Sequence, residues 1–568
     1  FLAFFFIYVF KSLKPVRLRI EAFLRRPTAA FCVLAVCWAM LLICCWLFVF
    51  RFSPANAYDS TVGTIVARTW GLLVWGILIA LQTAAFLVLS SDFKVLRESL
   101  RSPLRMAIFF TIFMLTYYGF AAWYDRVDWS VRMNGLGWLM LAPCGVALIW
   151  AAAYPFYAGK RWAAALNTGL LCLLIGTFTF MGYRMTSYWM GRWNTPAKAY
   201  WDLLAEAFLN GQLHLSAPPS THDLTLYNGR WFVPNPPLPA ILLMPFVKWL
   251  GVEGVNMTVV SAVFGALNAV AVFLVLQRAA ARSMIPCSRS AILWLTAVFA
   301  FGTNHFWLAT TGQMWFISQL VTVLFVAFAT LSAIEDWPGW VTGLLLGLAI
   351  LARPNVFPIA ILLAGIFLWR QAEFPGIPWK RFILWAITAA IPAIVCTVVL
   401  FGYNYLRFDD WFDFGYVTIN GADWILEAVR QYGMFHPHFF RINLDVMILR
   451  LPRLDFSGQR FFFQPGIAGY SIFVMTPPLI YLVRGFRKNW WVIGAWLSVL
   501  LTCGLLLCYH NTGAEQVGYR YLLDAMLPIL LLLGVGIGRR PNWLFKTLAA
   551  VGFIVNALSI YWWYIGRA

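Results

Sequence analysis

Between residues 184 and 237 the sequence reads RMTSYWMGRWNTPAKAYWDLLAEAFLNGQLHLSAPPSTHDLTLYNGRWFVPNPP, and this stretch holds Asp202, Glu206, His222 and Asp223. A carboxylate within hydrogen-bond reach of a reacting group can take its proton. In YWDLLAEAFL, Asp202 and Glu206 are four residues apart, so a helix there carries both on one face. The apolar residues around them would rest that helix on a membrane surface, and the pair could equally be its solvated stripe. Asp223 follows His222 in a turn-like, Pro-flanked stretch, where an Asx turn or a cap is the competing reading. A second polar stretch, 404–465, carries Asp409, Asp410, Asp413, His436, His438 and Arg441. The HPH at 436–438 sets two His at i and i+2, which suits one face of a strand and not the helical pair of an HExxH zinc site. No residues are assigned to a metal, and a divalent cation (Mg or Mn) stays open as a cofactor. The third set is cationic. Arg353 ends an apolar run just before Pro354, where a helix must stop or kink. A charge at such an embedded break is costly and is a functional residue by default, with a snorkelling anchor as the alternative. Arg520 stands between Tyr519 and Tyr521 at the mouth of another apolar run, and Lys248 sits in the short segment 238–251.

These residues must be positioned by membrane helices. The chain is 62% hydrophobic and 11% charged, and its apolar runs recur at about 20 residues, the length that crosses a hydrocarbon core of about 30 Å. Spans are expected near 28–50, 64–90, 106–124, 135–159, 162–183, 258–277, 290–305, 316–334, 338–352, 356–369, 382–403, 466–484, 490–508, 522–538 and 545–564. With residues 1–10 as the end of another, the expectation is an all-α polytopic membrane protein of about 15–16 transmembrane helices. The chain opens at Phe1 inside an apolar run, and its natural N-terminus is expected to lie upstream. The net charge of +20 does not point to nucleic acid, because Lys and Arg cluster in short loops between spans. The ten Cys lie in or beside apolar runs without CxxC spacing and read as small buried hydrophobes.

Alternating the spans puts the Lys- and Arg-rich loops 11–26, 91–105, 160–161, 278–289, 370–381, 484–488 and 539–546 on one side, the cytoplasmic one by the charge rule. Glu335 and Asp336 are the exception to that pattern. The long loops 184–257 and 404–465 fall on the other side with 509–524. All six His lie outside or at that interface, as do all acidic residues except Glu21, Asp92, Glu98, Glu335, Asp336 and Glu373. Segment 238–251 holds Pro245 and Lys248 and reads as an interfacial or re-entrant helix. The chain divides near residue 160: residues 1–160 carry compact spans with short loops, and 161–568 carries the large ones. No internal repeat is visible, which disfavours an inverted-repeat transporter.

The order of a span, YWDLLAEAFLNGQLHL (200–215), HDLTLYNGRWFVPNPPLPAILLMPF (222–246) and a second span resembles the first outer loop of the GT-C glycosyltransferases. GLLLGLAILARPNVF (343–357), YNYLRFDDWFDFGY (403–416) and QVGYRYLLDAMLPILLLL (516–533) resemble later segments of that group. The likeness is to bacterial members of the protein-mannosyltransferase and aminoarabinose-transferase branch, and it covers roughly residues 160–565. It implies a GT-C-like core that moves a sugar from a polyprenyl-phosphate donor to a glycan, lipid or protein acceptor. The site would lie at the outer, periplasmic or extracytoplasmic face of the plasma (inner) membrane. Such a reaction needs a carboxylate base, for which Asp202, Asp223 and Glu206 are the candidates. It also needs cations on the leaving phosphate, for which Arg353, Arg520 and Lys248 are available. His222, Asp409, Asp410, His436 and His438 would line the acceptor or cap the donor. The aromatic content of 18% suits both sugar stacking and interface belts. The chain departs from the family in one respect. The family sets its acidic residue soon after the first core span, whereas 184–199 contains no Asp or Glu, and 304–315 has Gln313 where many members carry an acid. Either the base has moved to Asp202 or Asp223, or the chain is an inactive member serving as a structural or assembly subunit. A transporter of a lipid-linked substrate is the other alternative. Residues 1–160 would then be a docking surface for a membrane-protein partner, or a lipid-binding addition.

Overall fold

A computed structural model describes residues 159–566 except 456–462 and 514–515, with a few isolated positions between 145 and 156. The spans expected before residue 159, and the partner surface expected on 1–160, lie outside the described residues. The chain forms two compact units, Phe1–Thr177 and Phe178–Ala568; the described residues from 178 on belong to the second, and the start of the first described helix belongs to the first.

The elements are α1 (Ala163–Trp189), α2 (Trp201–Leu209), the hairpin β1 (Thr225–Tyr227) and β2 (Arg230–Phe232), and α3 (Leu238–Leu250). Then come α4 (Met257–Ala281), α5 (Arg289–Phe301), α6 (Met314–Glu335), α7 (Gly339–Ile350), α8 (Ile359–Gln371) and α9 (Trp379–Phe408). The last helices are α10 (Trp490–Leu507), α11 (Met526–Ile537) and α12 (Trp543–Tyr561). Among the described residues eight helical segments are long and apolar enough to cross a membrane. The protein is a predominantly helical, multi-pass membrane protein.

Those eight segments coincide with eight of the eleven spans expected after residue 160. Two more of the eleven, 290–305 and 338–352, are corrected in length: they form the apolar helices α5 and α7, of 13 and 12 residues, each too short by itself to cross a core of about 30 Å at about 1.5 Å per residue. The expected span 466–484 is a correction. It holds a four-residue helix, Ile472–Met475, followed by the 3-10 segment Pro477–Arg484. Two consecutive prolines, Pro477 and Pro478, supply no N–H and clash with the preceding turn, so an apolar run there cannot continue as an α-helix. Segment 238–251 forms the 13-residue helix α3. At about 1.5 Å per residue it is about 20 Å long, too short to cross, as its length suggested.

Helix starts follow their caps. Asn256 accepts from the N–H groups of Thr258 and Val259 at the head of α4, and Asn542 from Phe545 at the head of α12. The Asn256 side chain also donates to the Trp193 carbonyl at 3.0 Å, which ties the head of α4 to the loop that follows α1. Close packing comes from small residues. Gly343 on α7 meets the backbone at Ala389 on α9, and Gly365 on α8 meets the Trp490 carbonyl and Gly494 on α10. A side chain at either position would push the paired helices apart.

Helices α4 and α6 run parallel. At their heads the Gly312 N–H donates to Ser261, and at their tails Arg278 binds Glu335 through Nε and Nη2, both at 2.6 Å. Arg370 lies 2.5 Å from Asp336, and the Ser288 N–H reaches the Arg539 carbonyl. One end of the bundle therefore gathers the Lys- and Arg-rich loops 278–289, 370–381 and 539–546. Glu335 and Asp336, the exception in the charge pattern, are the acids that pair with those arginines. The other end gathers the long loops.

Candidate functional site

At that other end a cavity of about 310 Å³ is bounded by six separate stretches of chain, with Lys198, His222, Asp223, Trp315, Tyr416, His510 and Arg520 among the lining residues. It forms because the long loops are pinned to one another. The Asn228-Gly229 turn of the β1–β2 hairpin has positive φ at both residues, 49° and 72°, the conformation that matches the twist of a two-residue hairpin. The hairpin register pairs Thr225 with Phe232 and Tyr227 with Arg230. Thr225 Oγ1 donates to the Gly415 carbonyl at 2.7 Å, and Tyr227 donates to Asp409 at 3.1 Å. These bonds fix loop 409–422 against the hairpin.

The same contacts hold Asp223 in an unusual backbone conformation. Its φ is +65°, in the left-handed region that non-glycine residues rarely adopt. The Asp223 N–H donates to the Asn420 carbonyl at 2.8 Å, and the Asn420 N–H returns to the Leu224 carbonyl at 2.7 Å. Asn420 also binds Thr221 through its side chain. Tyr200 donates to the His222 carbonyl at 2.7 Å. Asp is among the few side chains that tolerate this conformation, and the bonds to Asn420 fix it on the cavity wall.

On another wall lies Arg520, only 5% exposed. It begins the 3-10 turn Arg520–Ala525 that leads into α11. Its backbone is fixed at both ends: Gln516 accepts from its N–H at 3.1 Å, and Gln319 donates to its carbonyl at 2.9 Å. Its guanidinium packs over Tyr521 and Phe316 at 4.6 and 5.2 Å. Nε and Nη1 are buried without a hydrogen-bond partner, and Nη2 has only a long contact of 3.4 Å to Tyr521. The neighbouring carboxylate cannot serve it. Asp524 accepts from Arg353 Nε at 3.2 Å, from Asn355 at 2.7 Å and from Gln319 at 3.1 Å. The half-buried Arg353 thus takes the one nearby carboxylate, and the surplus positive charge sits on the buried Arg520.

His510 and two tyrosines complete the wall. Burial pushes the His510 imidazole down to about 4, so it is neutral near pH 7, and its Nδ1 is buried without a partner. Burial pushes the Tyr416 phenol up to about 12 and that of Tyr509 well above its ordinary value, with Arg353 pulling the other way in both. Both therefore remain hydrogen-bond donors. Trp315 and Tyr416 stack at 6.0 Å with 27° between their planes.

No family model, curated protein or solved structure matches this chain. The site is therefore judged on its own chemistry.

Of the residues singled out from the sequence, His222, Asp223 and Arg520 meet in this cavity. The others lie elsewhere. Arg353 is committed to Asp524, at 3.1 Å through Nη2. Asp202 and Glu206 are on α2, but Asp202 is buried and Glu206 exposed. The solvated-stripe reading thus fails for Asp202. Lys248 is exposed in the last turn of α3. Asp409 is held by Tyr227, and Asp410 accepts from the Phe412 N–H in an Asx turn. His436 accepts from the His438 N–H, and the His438 ring stacks on Tyr432 at 4.1 Å. Among the described residues no three His, Cys, Asp or Glu converge as metal ligands, and no step below is routed through a metal.

Burial pushes the Asp202 carboxyl up to about 6 from its ordinary 3.8, opposed by the Leu203 N–H and aided by Glu206. The ionised form is the one the fold disfavours. That cost is fully present above pH 6 and fades as pH falls from 6 through 3.8. Asp202→Asn is therefore expected to melt higher than wild type at pH 8, with the difference closing toward pH 4. Thermal unfolding in detergent across this range checks it.

Proposed function

We propose that this protein is an integral-membrane glycosyltransferase that moves one sugar from a polyprenyl-phosphate donor to an acceptor hydroxyl at the outer face of the membrane. The observation that carries the reading is the cavity in which Asp223 stands with the unpaired guanidinium of Arg520. A buried cation without a partner is costly and calls for an anion. The leaving group of a polyprenyl-phosphate sugar is such an anion. Asp223 takes the acceptor proton as the acceptor oxygen attacks the anomeric carbon. The bond from that carbon to the phosphate oxygen breaks, and the electron pair leaves with the phosphate, on which Arg520 stabilises the charge. Tyr416, Tyr509 and neutral His510 can bond the sugar hydroxyls, and the Trp315–Tyr416 pair offers aromatic faces to its ring. The cavity volume is at the small end of ligand sites, which run from about 300 to 1,000 Å³, and suits one sugar with its phosphate. The likeness of 160–565 to GT-C sequences supports the same reaction class, and the Lys- and Arg-rich loops at the opposite end support a cytoplasmic face there.

The reading is tested by binding. Polyprenyl phosphate should raise the melting temperature of the purified protein with increasing concentration, as a ligand of the native state must, while the uncharged polyprenol should not. Equal effects of the two lipids would show that no phosphate is recognised, and the reading would fall.

A further inference from the structure

We propose that His222 is the second member of a proton relay: it receives from Asp223 the proton drawn off the acceptor hydroxyl and releases it to solvent. The inference rests on the proposed transfer reaction and assigns a role within it. His222 Nε2 lies 3.6 Å from Asp223 Oδ1, and the two side chains are 47% and 24% exposed. Both line the cavity, and His222 is the more solvent-facing of the two. Neighbouring side chains on an extended strand point to opposite faces. The left-handed conformation at Asp223 departs from that rule, and here both side chains reach the one cavity. The His222 backbone is held on both sides, its carbonyl by Tyr200 at 2.7 Å and its N–H by Ser220 Oγ at 3.2 Å. A separation of 3.6 Å is one small side-chain adjustment from a hydrogen bond, and such contacts tighten when substrate arrives.

The step balances without a co-reactant. The acceptor O–H proton passes to the Asp223 carboxylate as the glycosidic bond forms and the bond to phosphate breaks. It then passes from the Asp223 carboxyl to His222 Nε2, giving imidazolium, which returns the proton to water. The carboxylate is thereby restored for the next turnover beside a product phosphate. The ionisable groups around the pair are Tyr200 behind it and Lys198, His510 and Arg520 on the cavity walls. Tyr416, Tyr509 and Tyr521 also line the cavity, and of all these groups and His222 it is His222 that combines an ion-pair contact with Asp223 and exposure.

The test is sugar transfer by His222→Ala and His222→Gln in the full-length protein, with imidazole and ring-substituted imidazoles added. His222→Ala should lose roughly 10- to 100-fold in turnover, a fraction of what a general base contributes. Added imidazoles should restore it in proportion to their concentration and basicity. His222→Gln should lose as much and not be rescued, because its side chain fills the space. A wild-type rate in His222→Ala would overturn the relay, and so would a loss that no imidazole restores in a protein of unchanged melting temperature. Asp223→Asn separates the two levels. If it is inactive while His222→Ala is unimpaired, only the relay falls; if it transfers sugar at the wild-type rate, the base assignment falls with it.

Discussion

Under the proposed reaction, Asp223→Asn is expected to lower sugar transfer by about 10²- to 10⁴-fold, the span a positioned general base contributes, and to leave donor binding in place. The amide is close to the carboxyl in size and can keep the backbone bonds to Asn420 that hold this residue at φ +65°. It cannot take a proton. A loss in turnover without a loss in affinity is the signature of a group that acts in the transition state only. Binding of labelled donor and single-turnover transfer, measured on the same preparation, read the two quantities separately. Asp202→Asn is the matched control, since that carboxyl is buried on α2 and is not on the cavity wall.

Arg520→Met should split stability from activity. Arg520 is 5% exposed, with Nε and Nη1 of its guanidinium buried and unpartnered. Leaving such groups buried costs about 1–3 kcal/mol, and more when they are charged. The contacts over Tyr521 and Phe316 return only part of that. A methionine, shorter but apolar and flexible enough to fill much of the space, should therefore raise the melting temperature of the donor-free protein. The same substitution should reduce transfer by about 10²- to 10³-fold, the typical effect of removing one preorganised donor to a developing charge. A purely structural arginine would give the opposite stability result. The outcome is read by thermal unfolding with and without polyprenyl phosphate, and the lipid should stabilise wild type much more than the variant.

Much of this architecture is legible in the sequence because a bilayer imposes length and apolarity on every crossing. The charge pattern likewise separates the loops that meet in the cavity from those that pair Arg278, Arg282 and Arg370 with Glu335 and Asp336. Hydropathy alone misreads 466–484, since it averages over Pro477 and Pro478. The site is legible only in part. Asp223 and Arg520 stand out by type and setting, yet nothing local says that they share a cavity. The i, i+4 spacing of Asp202 and Glu206 gives them one helical side but not its surroundings, and burial of Asp202 is decided by packing around the first turn of α2. Arg353 looks free in sequence because Asp524, the carboxylate that holds it, lies 171 residues away. Gln319 is hidden for the same reason: a single amide within the apolar run of α6 ties Arg520 and Asp524 together from 201 and 205 residues away. His510 carries no motif and Tyr416 is only the last residue of the quoted segment 403–416, so only the fold reveals them as cavity walls.

The most direct measurement is single-turnover sugar transfer from a panel of radiolabelled polyprenyl-phosphate sugars by wild type, Asp202→Asn and Asp223→Asn in parallel. The cavity chemistry predicts transfer from at least one donor by wild type and Asp202→Asn, and none by Asp223→Asn despite retained donor binding. Transfer by Asp223→Asn at the wild-type rate, or no donor bound or turned over by wild type, would contradict it.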